Sequence, residues 1–473
     1  MSPDRYVSTR GRAPEVDFVE ALLRGIAPDG GLYMPAAWPV LPAGTTAAGQ
    51  TYTAIATASM APYLGTALPD GALDRALARL VAGFETTETT PLVRLEDDLW
   101  MLELFHGPTA AFKDLAMQLA ASLADEALAA SGERLTLVTA TSGDTGAAAV
   151  NAFANKARID LIVLHPLDRV SPIQRRQMTT VDADNVLNLA IGGDFDDCQR
   201  LVKGLLADET LRERGRFSSV NSINWARLAG QIPYYVSAVA QLAAQGETRP
   251  PRFVVPTGNF GDAFAGIAAR RMGLPVAGFV AAVNSNDALS RAINDGIYAR
   301  KGAVETASVS MDVQAPSNFE RLVFEASGRD AEATRALFET FAAEGSVTIP
   351  ADLLAAIRAE VSAVSIDEAT TRSEIAHAHT AWGQVVCPHT AVALAAARAL
   401  PAIDGPTIAL ATAHPAKFGR DVGDVLGFAP EPCRVIRELG DRPERMTVIP
   451  GTMEAALDAV RGFGGQAASA TRQ

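Results

Sequence analysis

Lys113 lies in the stretch Glu103 to Leu123, which reads ELFHGPTAAFKDLAMQLAASL. Ala110, Ala111 and Phe112 lead into it, and Leu115, Leu119 and Leu123 then repeat at the i, i+4 spacing of an amphipathic helix. The spacing predicts a helix that starts at the lysine, with Asp114 as its N-cap. A cation at the positive end of a helix dipole, flanked by alanine and phenylalanine, is biased toward the neutral amine. That is the form of lysine that attacks a carbonyl to make a Schiff base. Read alone, the same residue could be a surface lysine closing a loop.

Two glycine-rich stretches change the balance. Thr141-Ser142-Gly143-Asp144-Thr145-Gly146 follows the apolar run Leu135 to Ala140 and precedes an alanine-rich helix over 147–155. Gly258-Asn259-Phe260-Gly261-Asp262 follows Arg252 to Val255 and precedes a small-residue helix over 263–271. Strand, glycine turn and helix, in that order, aim backbone N–H groups at an anion. Gly258 and Gly261, three apart before a helix, suit a phosphate ester approached closely by backbone. One such turn is ordinary α/β architecture; two beside a helix-start lysine suggest a site. Asn224 and Arg227, also three apart, would put an amide and a guanidinium fork on one face of a helical turn, where they could grip a phosphate. The competing reading is a surface helix with an incidental arginine.

The elements that must position these groups alternate. Further strands are predicted at 160–164, 186–191, 278–283 and 407–411, with a helix over 196–206, and the last strand runs into Thr412-Ala413-His414-Pro415-Ala416-Lys417-Phe418. Loops at strand ends are where open α/β sheets bind ligands. Residues 1–95 read as an N-terminal helical domain, in which Gly30 to Pro35, GGLYMP, is a turn and short extended piece without a legible role. Residues 96–235 hold the lysine segment and a small mobile α/β domain at about 125–215. Residues 236–473 read as a large α/β domain with a helical insertion at about 303–375, ending in a small polar tail from Ala467 that reads as frayed.

The formal charge of −13 argues against a nucleic-acid partner, whose phosphates must be neutralised by Lys and Arg. Cys198, Cys387 and Cys433 have no metal or disulfide spacing, and neither do His377 and His379, so no metal site is expected. No apolar run approaches membrane-spanning length, and a cytoplasmic protein without membrane partners is expected. Walker A, GxSxG, HExxH and GxGxxG patterns are all missing. A small anionic substrate remains compatible with the charge, and the sequence leaves monomer and homo-oligomer open.

HGPTAAFKD at 106–114, TSGDTG at 141–146, NWARLAGQ at 224–231, GNFGD at 258–262, CPHTAVAL at 387–394 and TAHPAKF at 412–418 occur in one order along the chain. Together they resemble the threonine synthase family, in its long bacterial and fungal branch of fold type II pyridoxal-phosphate enzymes. The resemblance runs nearly end to end and includes GGLYMP. It implies an α/β fold like the tryptophan synthase β subunit, with two open α/β domains plus the helical N-terminal one. It implies pyridoxal 5'-phosphate as cofactor, with Lys113 as Schiff-base and proton-moving lysine. Gly258, Asn259, Phe260, Gly261 and Asp262 would hold the cofactor phosphate, and Thr412 would face the pyridine nitrogen, where a hydroxyl does not enforce a pyridinium. Ser142, Gly143, Thr145 and Gly146 would hold the amino-acid carboxylate, and Asn224 and Arg227 the substrate phosphate. Asp144, near the ring's phenolic oxygen, departs from the asparagine of the short branch. The implied activity is that of a carbon–oxygen lyase acting on phosphates: O-phospho-L-homoserine and water to L-threonine and phosphate, by γ-elimination and β-addition of water. The rival readings are a threonine synthase-like phospholyase acting on phosphorylated amino acids, or a silent homologue with a binding role.

Overall fold

In the computed structural model, which describes residues 2–463, the chain builds two parallel sheets joined by a long helix, with a small N-terminal unit packed against them. The predicted tail from Ala467 lies outside the described residues. The larger sheet has the order Ser362–Ser365, Gly278–Val283, Arg252–Pro256, Thr407–Ala411, Leu99–Glu103, Leu92–Arg94, and all neighbours are parallel except the last pair. Its central strands, RFVVP and TIALA, are buried at every position. Continuous apolar runs are what a parallel sheet covered on both faces requires. The smaller sheet is wholly parallel, in the order Thr447–Pro450, Val186–Gly192, Ile159–Pro166, Leu135–Ala140, Arg216–Ser218.

The strands over 135–140, 278–283 and 407–411 fall where the apolar runs placed them. The fold has the expected α/β class. Its sheets nevertheless do not follow the expected boundaries. Leu92–Arg94 and Leu99–Glu103, from the two N-terminal segments, belong to the larger sheet, whereas Thr447–Pro450, from the C-terminal segment, closes an edge of the smaller one. The chain therefore passes between the sheets three times. The 303–375 segment is largely helical but also supplies the edge strand Ser362–Ser365. Residues 1–95 combine helices Phe18–Arg24, Tyr52–Leu64 and Ala72–Ala82 with a three-stranded antiparallel sheet, Val16–Asp17, Arg5–Ser8 and Tyr33–Pro35.

That N-terminal unit has a positional task. Tyr6, Trp38 and Tyr63 surround fully buried Trp225 at ring separations of 6.1, 5.9 and 5.5 Å, fixing the turn that carries Arg227. Aromatic pairs at this range add to the stabilisation from buried area alone. Among the described residues no helix is long and apolar enough to cross a membrane, and no cluster of three or more His, Cys, Asp or Glu could hold a metal.

Candidate active site

Lys113 is the first residue of the helix Lys113–Ser131, as its spacing predicts. The segment before it is pinned to the end of the strand Thr407–Ala411 by an isolated antiparallel bridge between Ala111 and Ala413. The Phe112 N–H donates to the Thr412 carbonyl at 2.8 Å, and the His414 N–H to that of Ala110 at 3.1 Å. Lys113 and Thr412 are thus neighbours by backbone pairing. Ala110 has a positive φ of 55°, an uncommon conformation for a residue with a side chain, held here by that pairing.

The Lys113 side chain is 12% exposed. Burial pulls its ammonium below the usual lysine range; Asp144 opposes this, while Lys417 and Arg227 add to the lowering. Asp144 opens the helix Asp144–Phe153 at the end of the TSGDTG turn. Its Oδ2 lies 3.3 Å from the Lys113 ammonium and its Oδ1 2.8 Å from that of Lys417, and Gln174 Nε2 donates to Oδ1 at 2.9 Å. Burial alone would raise this carboxyl, but the two lysines hold it well below the usual carboxylate range. Asp144 is ionised.

Both glycine turns present open donors. The Thr141 hydroxyl accepts from the N–H groups of Gly143 and Gly146 at 2.9 and 2.8 Å, folding the turn on itself. The N–H groups of Ser142, Asp144 and Thr145 meet no acceptor among the described residues. Gly143 has φ +139°, and a β-carbon there would fall 2.3 Å from Gln174 Cδ. At the second turn Phe260 takes the left-handed φ of 62°, and the helix Gly261–Arg271 follows. The N–H groups of Gly258, Asn259, Phe260, Gly261 and Asp262 likewise meet no acceptor among the described residues. Five such donors at a helix N-terminus make a cradle for a phosphate. Arg227 lies in the helix Trp225–Ala229, is buried, and leaves Nε and Nη1 without partners. Burial lowers its guanidinium to about 10, so it keeps its charge at neutral pH.

A buried amine, two turns of unpaired backbone donors and a buried unpaired guanidinium suit a phosphorylated carbonyl cofactor and an anionic amino acid. Family models agree. Residues 84–412 match the pyridoxal-phosphate dependent enzyme family, 5–80 the threonine synthase N terminus and 390–463 the threonine synthase C-terminal region. The threonine synthase of Pseudomonas aeruginosa is 41% identical over 95% of this chain and 96% of its own length. A pyridoxal-phosphate-bound threonine synthase structure from Brucella melitensis is 44% identical, superposes with a TM-score of 0.93, and covers 97% of this chain and 99% of that one. The chain belongs to the threonine synthase family. Human threonine synthase-like 2 is 36% identical over 94% of this chain and 93% of its own length.

Within that family frame several assigned side chains do other work than expected. Asp114 is not the N-cap: it sits inside the first helical turn and accepts from the Thr109 N–H at 2.8 Å and hydroxyl at 2.6 Å, shaping the approach to Lys113. Asn224 does not share a helical face with Arg227. It is itself the N-cap, accepting from the Ala226 N–H at 3.0 Å, while its amide donates to the Leu22 carbonyl at 2.7 Å. The Asp262 carboxylate is engaged at Oδ1, which accepts from the hydroxyls of Tyr234 and Tyr235, and burial raises its carboxyl to about 6 against those hydrogen bonds. Gly146 is small because Thr141 and Met178 fill the space beside it, 2.4 and 2.5 Å from where a β-carbon would sit.

Other residues at the site had no assigned role. Lys417 stood in the TAHPAKF motif with only its place after a strand to mark it. Ser310, on a short 3-10 turn in the segment expected to be plain helix, reaches to 3.4 Å from Asp144 Oδ2, and its N–H donates to His389 Nε2 at 3.2 Å. Arg321 is fully buried and donates to the carbonyls of Tyr33 and Ile223 at 3.1 and 2.7 Å, and to Asn318 Oδ1. Asn318 in turn donates to Ser222 O and Asn259 O, both at 3.1 Å. These two side chains tie GGLYMP, the Arg227 turn and the Gly258–Asp262 turn together. That is the role GGLYMP did not disclose.

Proposed function

We propose that the chain carries out the threonine synthase reaction, converting O-phospho-L-homoserine and water to L-threonine and phosphate, with the residues of this site in the following roles. Lys113 would hold pyridoxal 5'-phosphate covalently, the open N–H groups of 258–262 its phosphate, and the Thr412 hydroxyl its ring nitrogen. When bound, the cofactor supplies an electron sink for negative charge developing on the amino-acid carbons. The chain's own groups do the rest. The N–H groups of Ser142, Asp144 and Thr145 orient the substrate carboxylate at a helix start. Lys113, whose ammonium burial pulls below the usual lysine range, moves protons at Cα and Cβ. Arg227 holds the γ-phosphate before and after it leaves.

The observation that carries a phosphorylated substrate is Arg227: a buried guanidinium with two unpaired nitrogens is costly unless an anion completes it. Water has to be excluded early and admitted late, so the smaller sheet is read as the mobile part. Free, scattered cysteines support a cytoplasmic setting. Purified protein given O-phospho-L-homoserine should release threonine and phosphate in equal amounts, and Lys113→Ala should abolish turnover while remaining folded. An active Lys113→Ala protein would remove the central assignment. The rival reading of the sequence is a threonine synthase-like phospholyase acting on phosphorylated amino acids. Product analysis separates the two, because a phospholyase would yield 2-oxobutanoate in place of threonine.

A further inference from the structure

We propose that Lys417 is a positioning residue, the standing counter-ion of Asp144, whose presence leaves Lys113 free to act as an amine rather than as half of an ion pair. This rests on the reading of Lys113 given above.

The geometry is asymmetric. Lys417 Nζ lies 2.8 Å from Asp144 Oδ1 and donates to the Thr109 carbonyl at 2.8 Å, and its side chain is wholly buried. Lys113 Nζ stands further off, 3.3 Å from Oδ2. Thr109 is itself fixed by Asp114 and by Gln177 Nε2, which donates to the same carbonyl at 2.9 Å. The strand end fixes the other side, since the N–H groups of Ala416 and Lys417 donate to His414 Nδ1 and to the His414 carbonyl. Lys417 is therefore held from both directions, whereas Lys113 must move between cofactor and substrate.

A buried carboxylate with a single cation beside it would clamp that cation in its charged form. Were Lys417 missing, the single cation in contact with Asp144 would be Lys113. The other titratable groups facing the cluster do not replace Lys417. His389, from the helix Pro388–Ala399, is lowered to about 4 by burial and is neutral. Cys387 beside it is pushed up by burial and stays a thiol. Arg227 acts on Lys113 through space, Asp262 is engaged by two tyrosines, and Asp114 is engaged by Thr109. Gln174 and Ser310 offer Asp144 neutral hydrogen bonds only.

The test uses cofactor-free protein and needs no turnover. The neutral Lys113 amine attacks the aldehyde of added pyridoxal 5'-phosphate, a C=N bond forms and one water leaves, so the absorbance-monitored rate against pH reports the charge state of Lys113. Lys417→Met should move the midpoint of that profile to higher pH by about one unit or more, roughly a tenfold slower reaction at pH 7. Asp144→Asn should move it to lower pH, and the double variant Lys417→Met/Asp144→Asn should lose the alkaline shift. A Lys417→Met protein with a lower melting temperature but an unmoved midpoint would reduce Lys417 to a structural lysine and overturn the proposal. If Lys417→Met does not fold, Asp144→Asn decides, because an unmoved midpoint there overturns it equally. Failure of the wild-type protein to condense at any pH would instead strike the functional reading itself.

Discussion

Arg227 separates the structural and chemical readings most sharply at the scale of single residues. An incidental surface arginine is excluded, because the side chain is buried with Nε and Nη1 unpartnered. Arg227→Ala should lower kcat/KM about 10- to 150-fold, the equivalent of a charge-assisted hydrogen bond of roughly 1.5–3 kcal/mol, with the bound-cofactor spectrum unchanged. Inorganic phosphate should raise the melting temperature of the wild type more than that of the variant, and Arg227→Lys should recover only part of the rate. Asp262 supports a pH prediction. Its folded-state value of about 6 lies above that of an unfolded aspartate, so the folded state holds the proton more tightly and the protein loses stability from this group as pH rises from about 4 to about 6. Asp262→Asn keeps an acceptor for both tyrosines and should gain on the order of 2–3 kcal/mol relative to wild type across that window, read from urea midpoints of the cofactor-free protein. Lys113 was legible as a helix start because the leucine spacing marks one, whereas Arg227 was singled out as the partner of Asn224 on one helical face, a pairing the structure does not form. Asn224 as a helical-face partner and Asp114 as an N-cap misled because short polar side chains bond local backbone and nearby hydroxyls in more than one way. Lys417 and Arg321 had no periodicity to announce them; their partners come from distant parts of the chain.

The strands that the sequence disclosed are largely apolar, and those at the centre of the larger sheet are buried on both faces. Among those it concealed, Ser362–Ser365 and Thr447–Pro450 are short edge pieces whose outer positions face solvent and leave too few apolar residues to read, while Leu99–Glu103, buried inside the larger sheet, was passed over as well. The Gly258–Asp262 turn was recognised, but part of the reason for its glycines was not. A β-carbon on Gly258 would stand 2.7 Å from the Ser310 carbonyl oxygen, which is backbone and cannot swing aside. At Gly261 the nearest atom is the Asn318 amide nitrogen at 3.2 Å. Gly258→Ala should therefore push the turn off the segment that carries Ser310 to Asp144 and lose cofactor on dialysis. Gly261→Ala should retain more of it. Equal retention by both, matched to wild type, would make the turn architecture only.

The smaller sheet, at the scale of the whole molecule, depends on the far end of the chain. Thr447–Pro450 pairs with Val186–Gly192, and Ile449, Ala456 and Val460 pack with Leu189, Ile191, Leu201 and Val202 in one buried cluster. A chain ending at residue 446 should uncover that cluster. Calorimetry should then show the smaller sheet melting at a lower temperature than the larger one, where the intact chain unfolds with less separation. A division into the contiguous segments 1–95, 96–235 and 236–473 could not have shown this, because strand pairing across the chain follows burial and register, not sequence distance.

The place of Thr407–Ala411 between Arg252–Pro256 and Leu99–Glu103 has a consequence for how the molecule is made. On a ribosome, the two flanking strands leave the exit tunnel long before the strand that joins them. Each waits with an apolar, unpaired edge, open to a neighbouring nascent chain as readily as to its own missing partner. The centre of the larger sheet, and with it the pairing that seats Lys113 beside Thr412, closes only when the last part of the polypeptide arrives, so this protein should lean on a chaperone during synthesis more heavily than its finished core suggests.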